Sequence, residues 1–467
     1  MKGLDRRWKV ASGLSSAKSV ASRRLGCPEL SRLDQTTGNC QTYLRMKHCF
    51  FLALLLMSTL CLGAKDKLPP SFKKIQLTDQ FWCEGATFGD FNHDGKMDVV
   101  AGPFWYEAPT FKKRHEYYPA AEKFTRKLAD GTETTIPGFE GALGTNNTYS
   151  KNFVAFTHDF NGDGWTDILI LGFPGEQSYW YENPKGKEGH WLRYIAIDVT
   201  DNESPTFADL TGDGKPEIIC SSKGFLGYAE PDWQHPERNW KWHSISPDNK
   251  YHKFTHGLGL GDVNGDGRKD ILEKDGWWEQ PADLAGDPIW RFHAFQFSVP
   301  GGSQMYAYDV NEDGLPDVIT ALAAHGYGLA WYEQLRTKSE KGEIQFQQHL
   351  ILNPEAKPNS YGISWSQLHA LELVDVDGDG LKDLVTGKRF WAHGNHGDPE
   401  PNAPAVLYWF KLVRSKDKSV DYVPHQIDND SGIGTQVVVG DINGDKLPDV
   451  VVGNKKGAFI HLQSKKK

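Results

Sequence analysis

The sequence predicts an all-β fold built from a repeated four-stranded antiparallel unit, and three observations lead to this prediction. A nine-residue acidic loop recurs seven times along the chain. Each loop lies between short apolar runs and is followed by an aromatic-rich strand. The 467 residues include 16 Trp and 48 Gly, which favours short aromatic strands joined by glycine turns over long helices.

The acidic loops share the pattern Asp-x-Asn/Asp-x-Asp-Gly-x-x-Asp, and their first residues are 69, 50, 53, 47, 66 and 66 positions apart. Because apolar runs precede and follow each loop, we expect the loop to join two strands of a hairpin, unlike the helix-flanked loop of an EF-hand. In chain order the copies are DFNHDGKMD from Asp90, DFNGDGWTD from Asp159, DLTGDGKPE from Asp209, DVNGDGRKD from Asp262, DVNEDGLPD from Asp309, DVDGDGLKD from Asp375 and DINGDKLPD from Asp441.

Two further strands follow each hairpin. An aromatic third strand recurs, as in FWYEAP from Phe104 and WWEQP from Trp277, and a fourth follows, as in WRFHAF from Trp290. Seven units of four strands predict a seven-bladed β-propeller, with six blades and one looped-out copy as the alternative. The last unit lacks a fourth strand, so we expect the N-terminal strand from Phe72 to Leu77 to complete that blade and close the ring.

The loops have the chemistry of calcium ligands. Calcium takes six to eight oxygen atoms, and positions 1, 3, 5 and 9 offer side-chain oxygens while position 7 offers its carbonyl. Zinc would call for His or Cys. We therefore expect several Ca²⁺ ions, up to one per blade; the alternative is a turn whose side chains only bond the backbone. The predicted side-chain ligands are Asp90, Asn92, Asp94 and Asp98; Asp159, Asn161, Asp163 and Asp167; Asp209, Asp213 and Glu217; Asp262, Asn264, Asp266 and Asp270; Asp309, Asn311, Asp313 and Asp317; Asp375, Asp377, Asp379 and Asp383; and Asp441, Asn443, Asp445 and Asp449.

Two loops depart from the pattern. Thr211 replaces the position 3 ligand in the third loop, and Lys446 replaces the glycine that permits a positive φ at position 6 in the seventh. We expect these two loops to bind calcium most weakly.

The repeated units resemble FG-GAP or VCBS repeats, the family that includes the integrin α-subunit propeller, and the chain looks like a secreted bacterial type. The resemblance covers about Ser71 to Gln463, and the namesake pieces survive in part as Phe88-Gly89 and Ala101-Gly102-Pro103. It implies a calcium-stabilised propeller used for adhesion, for recognition or as an accessory to an enzyme domain.

The segments before the repeats predict export. Met46 to Ala64 has a short basic start, an apolar run and small residues at its end, which is typical of a secretory signal peptide and too short for a comfortable membrane span. Residues 1–45 are basic and patternless, and we interpret them as a non-native or untranslated extension; a long n-region or a membrane-anchored start is the alternative. The predicted order is then extension 1–45, signal peptide 46–64, propeller 71–463 and basic tail 464–467. The mature chain is expected to be secreted, periplasmic or held at the cell envelope.

The start of each innermost strand is expected to lie at the mouth of the channel opposite the loops. Counting back five or six residues from each loop gives a largely polar ring of Glu84, Phe153, Glu203, His256, Gln304, His369 and Gln436. Because two His and two Glu suit a small-ligand or transition-metal site, Glu84, Glu203, His256 and His369 are the candidate catalytic residues. The alternative is that channel-lining residues are simply solvated.

Two long insertions, Tyr117 to Ser150 and Phe390 to Ala405, widen the question of a ligand site because long loops are often functional. His393 and His396 in the second are interpreted as solvated loop residues. Cys83 and Cys220 lie in non-adjacent repeats and are not expected to form a disulfide.

A net charge of -9 argues against a nucleic-acid partner. The sequence is therefore interpreted as an exported, monomeric, non-catalytic binding or adhesion module for a protein or a glycan. The alternative is a carbohydrate-active lyase or hydrolase with its site at the channel mouth.

Overall fold

The computed structural model describes residues 69–120, 123–128, 130–137 and 149–464, and every regular element in these ranges is a β-strand. The predicted signal peptide, the N-terminal extension and the last three lysines lie outside the described residues. Across the described ranges there is no helix with the length and apolar character needed to cross a membrane.

The strands are short and follow one another along the whole described chain. In order they are β1 (Ser71–Thr78), β2 (Ala86–Gly89), β3 (Asp98–Ala101), β4 (Phe104–Tyr106), β5 (Arg114–Glu116), β6 (Lys123–Lys127), β7 (Glu133–Pro137), β8 (Val154–His158), β9 (Asp167–Leu171), β10 (Glu176–Glu182), β11 (Leu192–Ala208), β12 (Glu217–Ser222), β13 (Phe225–Glu230), β14 (Lys241–Ser244), β15 (Leu258–Gly261), β16 (Asp270–Glu273), β17 (Gly276–Glu279), β18 (Arg291–Ala294), β19 (Gln304–Tyr308), β20 (Asp317–Ala321), β21 (Leu329–Leu335), β22 (Gln345–Leu352), β23 (Leu371–Val374), β24 (Asp383–Gly387), β25 (Leu407–Arg414), β26 (Val420–Asp428), β27 (Val437–Gly440), β28 (Asp449–Asn454) and β29 (Gly457–Ser464).

The sheets are made of antiparallel four-stranded units, each with an acidic loop between its first and second strands. Three sheets are single units: β2-β3-β4-β5, β23-β24-β25-β26 and β1-β29-β28-β27. A seven-stranded sheet contains two units that share β11, whose first part pairs with β10 and whose second part pairs with β12. An eight-stranded sheet contains the units β15 to β18 and β19 to β22, joined by parallel pairing of β15 with β19. The described residues thus form seven such units in an all-β, propeller-like arrangement.

The two ends of the described chain meet in one sheet. Strand β1 pairs antiparallel with β29, from Ser71 opposite Ser464 to Thr78 opposite Ala458. This is the pairing that the sequence predicts for the strand beginning at Phe72. It gives the last unit its fourth strand.

The hydrophobic core lies between the units. Seven clusters of buried side chains each combine residues of two consecutive units, and one of them joins the first unit to the last, with Val99 and Phe104 packed against Val451 and Ile460. The aromatic third strands contribute to these clusters, and Trp277 among their residues is almost fully buried. The aromatic stripes therefore pack unit against unit, as the sequence predicts.

A buried side-chain amide also ties neighbouring units together. In the fifth unit, the Gln334 amide nitrogen donates to the Pro316 carbonyl of its own unit (2.7 Å) and to the Val263 carbonyl in the loop of the preceding unit (2.9 Å). Three other units repeat this bridge at the same place after the third-strand aromatics. The equivalent donors are Asn183, Gln280 and Gln463.

The first insertion is more ordered than a simple loop. Strands β6 and β7 form a separate two-stranded hairpin, in register from Lys123 opposite Pro137 to Lys127 opposite Glu133. The sequence interpretation missed this hairpin because its two five-residue strands, KFTRK and ETTIP, are mostly polar and show no regular apolar alternation. Cys83 and Cys220 are buried free thiols.

Candidate functional site

Each acidic loop is closed by its own side-chain oxygens. In the fifth loop, Asp309 at position 1 accepts hydrogen bonds from the backbone amides of Asp313 (3.1 Å) and Gly314 (2.9 Å), and Asn311 also accepts from Asp313 (3.0 Å). Gly314 has a φ of 85°, as the sequence predicts for position 6. In the seventh loop, Lys446 adopts the same left-handed conformation with a φ of 66°.

The carboxylate at position 9 is buried in every loop and anchors the loop to its unit. Asp317 accepts hydrogen bonds from the backbone amides of Val310 (2.8 Å) and Gln334 (2.8 Å). Burial raises the pKa of Asp317 to about 7, and the nearby carboxylates of Asp309 and Asp313 add to this rise. A bound cation would relieve both effects, because it stabilises the ionised form.

The loop residues fit calcium. In the sixth loop, oxygen atoms of Asp375, Asp377 and Asp383 lie within 4.8 Å of one another, and the third loop has an equivalent group. One oxygen of Asp377 is buried without a hydrogen-bond partner, while the other contacts the Lys411 ammonium, which also reaches Asp379 (2.6 Å). The donor set is oxygen only, which suits a hard cation.

The third and seventh acidic loops depart from the common pattern in different ways. In the third, Thr211 donates its hydroxyl to Glu217 (3.3 Å), so position 3 no longer offers the amide oxygen that Asn presents in other loops. In the seventh, the Lys446 amide still donates to Asp441 (2.8 Å), and the loop keeps its shape. Weak calcium binding at these two loops stays a prediction.

Three of the seven residues predicted to ring the opposite mouth serve the fold. The Gln304 side chain accepts from the Leu371 amide (2.9 Å). The Gln436 side chain accepts from the Ala155 amide (3.0 Å) and donates to the Ala155 carbonyl (2.8 Å). Phe153 is buried in a hydrophobic cluster. These three side chains therefore make contacts within the fold.

The other four predicted residues converge on Arg389. Its guanidinium donates to Glu84 (2.8 Å) and lies 3.5 Å from Glu203. The same Glu203 carboxylate lies 3.2 Å from the His369 Nε2 atom and 3.5 Å from the His256 Nε2 atom. All five side chains are buried.

Histidines and a carboxylate from the turns extend this group toward solvent. The Nε2 atom of His325 lies 3.1 Å from the Nε2 atom of His256, and its Nδ1 atom lies 3.5 Å from Asp398. Asp398 also binds His393 Nδ1 (2.9 Å). The interpretation of His393 as a solvated loop residue was therefore incomplete, whereas His396 is exposed. We call this group, formed by Glu84, Glu203, His256, His325, His369 and Arg389, the mouth cluster.

The electrostatics keep the Glu203 carboxylate of the mouth cluster ionised and the imidazoles of His325 and His369 neutral. Burial by itself raises the pKa of Glu203, but the neighbouring imidazoles of His256 and His369 outweigh it and hold this pKa well below its usual range. Burial lowers the pKa of His369 strongly, and the Arg389 charge lowers it further. Burial also lowers the pKa of His325. The group is thus rich in free nitrogen and oxygen lone pairs.

Two buried lysines lie beside the mouth cluster. Lys455 donates to the Trp391 carbonyl (2.6 Å), and its ammonium lies 5.1 Å from the centre of the Tyr149 ring. Lys388 donates to the Ser366 hydroxyl (2.7 Å). Burial lowers the pKa of each lysine to about 8. The pKa of each lysine is therefore close to physiological pH.

Strand direction explains which of these residues the sequence revealed. Glu203 precedes its loop as predicted, in a stretch of β11 where the pairing register shifts and where Asn202 has a φ of 79°. His325, Arg389 and Lys455 instead follow the second strands β20, β24 and β28. Because second strands run antiparallel to first strands, their ends lie at the same mouth. The sequence prediction counted residues only along the first strands, and it therefore did not find His325, Arg389 and Lys455.

The fold and its repeated loops define a propeller-type repeat protein. Two segments match family models: residues 159–220 match the FG-GAP-like repeat, and residues 433–458 match the FG-GAP repeat. The chain therefore contains FG-GAP repeats. None of the curated proteins compared with it matches its sequence.

Several solved structures are distantly similar. A lectin of Agrocybe aegerita, described for specific recognition of non-reducing terminal N-acetylglucosamine, is 15% identical over 83% of this chain and 87% of its own, with a TM-score of 0.39. The rhamnogalacturonan lyase YesW is 13% identical over 85% of this chain and 74% of its own, with a TM-score of 0.36. The V. cholerae biofilm matrix protein Bap1 is 11% identical over 85% of this chain and 88% of its own, with a TM-score of 0.29. Similarity at this level carries no information about the function of this chain.

Proposed function

We propose that the chain is an exported, calcium-binding, seven-bladed propeller that binds a small polar ligand, such as a glycan, at the mouth opposite the calcium loops. The seven four-stranded units are its blades. Closure of the ring is supported by the hydrophobic cluster between the first and last units and by the pairing of β1 with β29. A closed ring leaves no sheet edge open at the junction of the chain ends.

Calcium in this proposal stabilises the blades and takes no part in ligand recognition. The oxygen-only donor sets of the loops, and the buried position 9 carboxylates with raised pKa, support this role. Export through the segment 46–64 is part of the same proposal, because extracellular calcium is abundant enough to fill sites of modest affinity.

The observation that carries the ligand-binding proposal is the burial of Arg389 between two carboxylates. Arg389 is 1% exposed, and it contacts Glu84 and Glu203 from two other blades. Buried ion groups of this kind cost desolvation energy that apolar residues of the same size would not. Charge retained at the mouth of a channel is therefore best explained by a ligand that uses it.

The space beside the mouth cluster suits a sugar-sized ligand. A cavity of about 380 Å³ reaches His256 and is lined also by Asn202, Tyr251 and Glu273. On the other side, Tyr149 lies next to Arg389 and Lys455. Charge, hydrogen-bonding groups and one aromatic ring together match a ligand with polar edges and an apolar face.

A broad adhesive surface has less support. Among the large apolar side chains that are exposed in the described residues, Ile289 and Phe292 belong to the fourth unit, whereas Leu192 and Leu350 lie on two other units. Exposed residues spread over several units in this way do not make one broad apolar patch.

A glycan microarray, followed by calorimetry with the strongest hit, tests the proposal. Replacing Tyr149 by alanine should weaken binding about tenfold or more, since a lost aromatic contact is worth roughly 1.4 kcal/mol or above. The matched control is Tyr361→Ala, because Tyr361 is exposed on another blade. Equal affinity of the Tyr149 variant and the wild type would refute a ligand site at this mouth.

The carbohydrate-active enzyme remains the second candidate, and one observation favours it. A general base works best when its pKa is near the working pH, and burial brings the pKa of Lys455 to about 8. Product formation from an array-positive glycan should then rise with pH through about 8 and should be lost in Lys455→Met but kept in Lys456→Met. Binding without any turnover would exclude this candidate.

A further inference from the structure

Four side chains from four different blades place their donor atoms within 4.8 Å of one another: Glu203, His256, His325 and His369. We propose that these residues bind one divalent transition-metal ion through three imidazole Nε2 atoms and one carboxylate oxygen. This site is separate from the calcium loops, and its existence does not depend on which ligand the mouth binds.

The distances between the donor atoms match those around a metal ion. The Nε2 atoms of His325 and His256 are 3.1 Å apart, and the Glu203 oxygen is 3.2 Å from His369 and 3.5 Å from His256. A tetrahedral ion with bonds of about 2.0–2.1 Å holds its donors about 3.3–3.4 Å apart. The four side chains therefore need only small rotations to close on an ion.

His369 gives independent evidence that something is bound there. It is fully buried, and neither of its ring nitrogens makes a hydrogen bond, although Nε2 lies 3.2 Å from the Glu203 carboxylate. Two unsatisfied polar atoms in the core carry a desolvation penalty that native proteins rarely tolerate. A metal ion on Nε2 would satisfy one of these two atoms.

Asp398 supplies the outer support that metal-bound histidines usually have. Its carboxylate is nearly buried and lies 3.5 Å from Nδ1 of His325, which makes no hydrogen bond with any other group, and Nε2 is directed at His256. A carboxylate on the far nitrogen fixes the tautomer and the orientation of a ligating imidazole. Asp398 is therefore a positioning residue for His325.

The donor set selects the class of metal. Three imidazoles with one carboxylate suit zinc and other first-row divalent ions, whereas calcium prefers oxygen ligands alone. Solvent reaches the site on the His325 side, where that side chain is 26% exposed. An ion held here is thus accessible to a small ligand that enters the mouth.

The experiment measures metal binding directly and requires no glycan. The full chain, stripped with a transition-metal chelator and kept in millimolar calcium, is titrated with cobalt(II) and read by visible absorption and elemental analysis. We expect one cobalt per chain with the spectrum of nitrogen ligation, undisturbed by excess calcium. Displacement of the cobalt by calcium would overturn the proposal.

Variants locate the ion. His325→Ala should lower cobalt affinity at least 100-fold, and Asp398→Asn should lower it about 10- to 100-fold. His393→Ala is the matched control, because His393 shares Asp398 but lies outside the four donors. His325 is partly exposed, so its variant should fold, as circular dichroism would verify. Unchanged cobalt binding in His325→Ala would contradict the assignment. Loss of cobalt binding in His393→Ala alone would contradict it as well, whereas loss of glycan binding by itself would not.

Discussion

Replacing Gln334 by leucine tests whether buried amides hold neighbouring blades together. The wild-type amide donates two hydrogen bonds, to the Val263 and Pro316 carbonyls, and the side chain is almost fully buried. Leucine fills a similar volume without a donor. The substitution therefore isolates the polar part of the contact.

The magnitude follows from the two lost hydrogen bonds. Each is worth about 0.5–1.5 kcal/mol net, and a buried carbonyl left without a donor costs about 1–3 kcal/mol more. Because Val263 is fully buried, its carbonyl cannot turn to water. We expect Gln334→Leu to lower the free energy of unfolding by about 2–6 kcal/mol.

Urea denaturation followed by tryptophan fluorescence, in calcium-saturating buffer, measures the change. Gln347→Leu is the control, since Gln347 is exposed on β22 of the same blade and should change stability by less than about 0.5 kcal/mol. A Gln334 variant as stable as this control would refute the idea that the amide bridge contributes to stability.

Three further predictions concern calcium, backbone strain and pH. Removing calcium with a chelator should lower the melting temperature markedly, since each loop site filled at 100 times its dissociation constant adds about 2.7 kcal/mol; an unchanged calorimetric scan would count against calcium binding. Lys446→Gly should raise the unfolding free energy by roughly 0.5–1 kcal/mol, because Lys446 has a φ of 66° that glycine adopts without strain; a loss of stability in urea would contradict this. Burial lowers the pKa of His461 to about 4, below its ordinary value of 6.5. As the pH drops, His461 therefore binds a proton in the unfolded protein before it does so in the folded protein, and stability should fall between pH 6.5 and pH 4. That loss is about 3 kcal/mol at most; subtracting the profile of His461→Gln from that of the wild type isolates it, and parallel profiles would disprove it.

The repeat made the fold readable from the sequence. Seven loops at similar spacing give the hairpins, and the surplus strand at Phe72 together with the missing strand of the last unit gives the pairing of the chain ends. The hairpin of β6 and β7 could not be found in this way, since it lies outside the repeat and its short strands show no regular hydrophobic alternation. The strands that belong to the repeat could be predicted from the sequence, and the two strands outside it could not.

The candidate site was only half readable. Counting along first strands located Glu203 and His369, but polarity alone did not separate them from Gln304, which pairs with the backbone. His325 and Arg389 were invisible to that count because they lie on turns after second strands. Which polar residues meet across a channel is decided by packing between distant blades, and a single sequence does not record it.

The contact between Ser71 and Ser464 has a consequence for how the protein is made. These residues are 393 positions apart. At about 5–20 residues per second, a ribosome takes roughly 20–80 s to reach the second after the first. Throughout that time β1 has no partner strand, and its unpaired edge is open to aggregation.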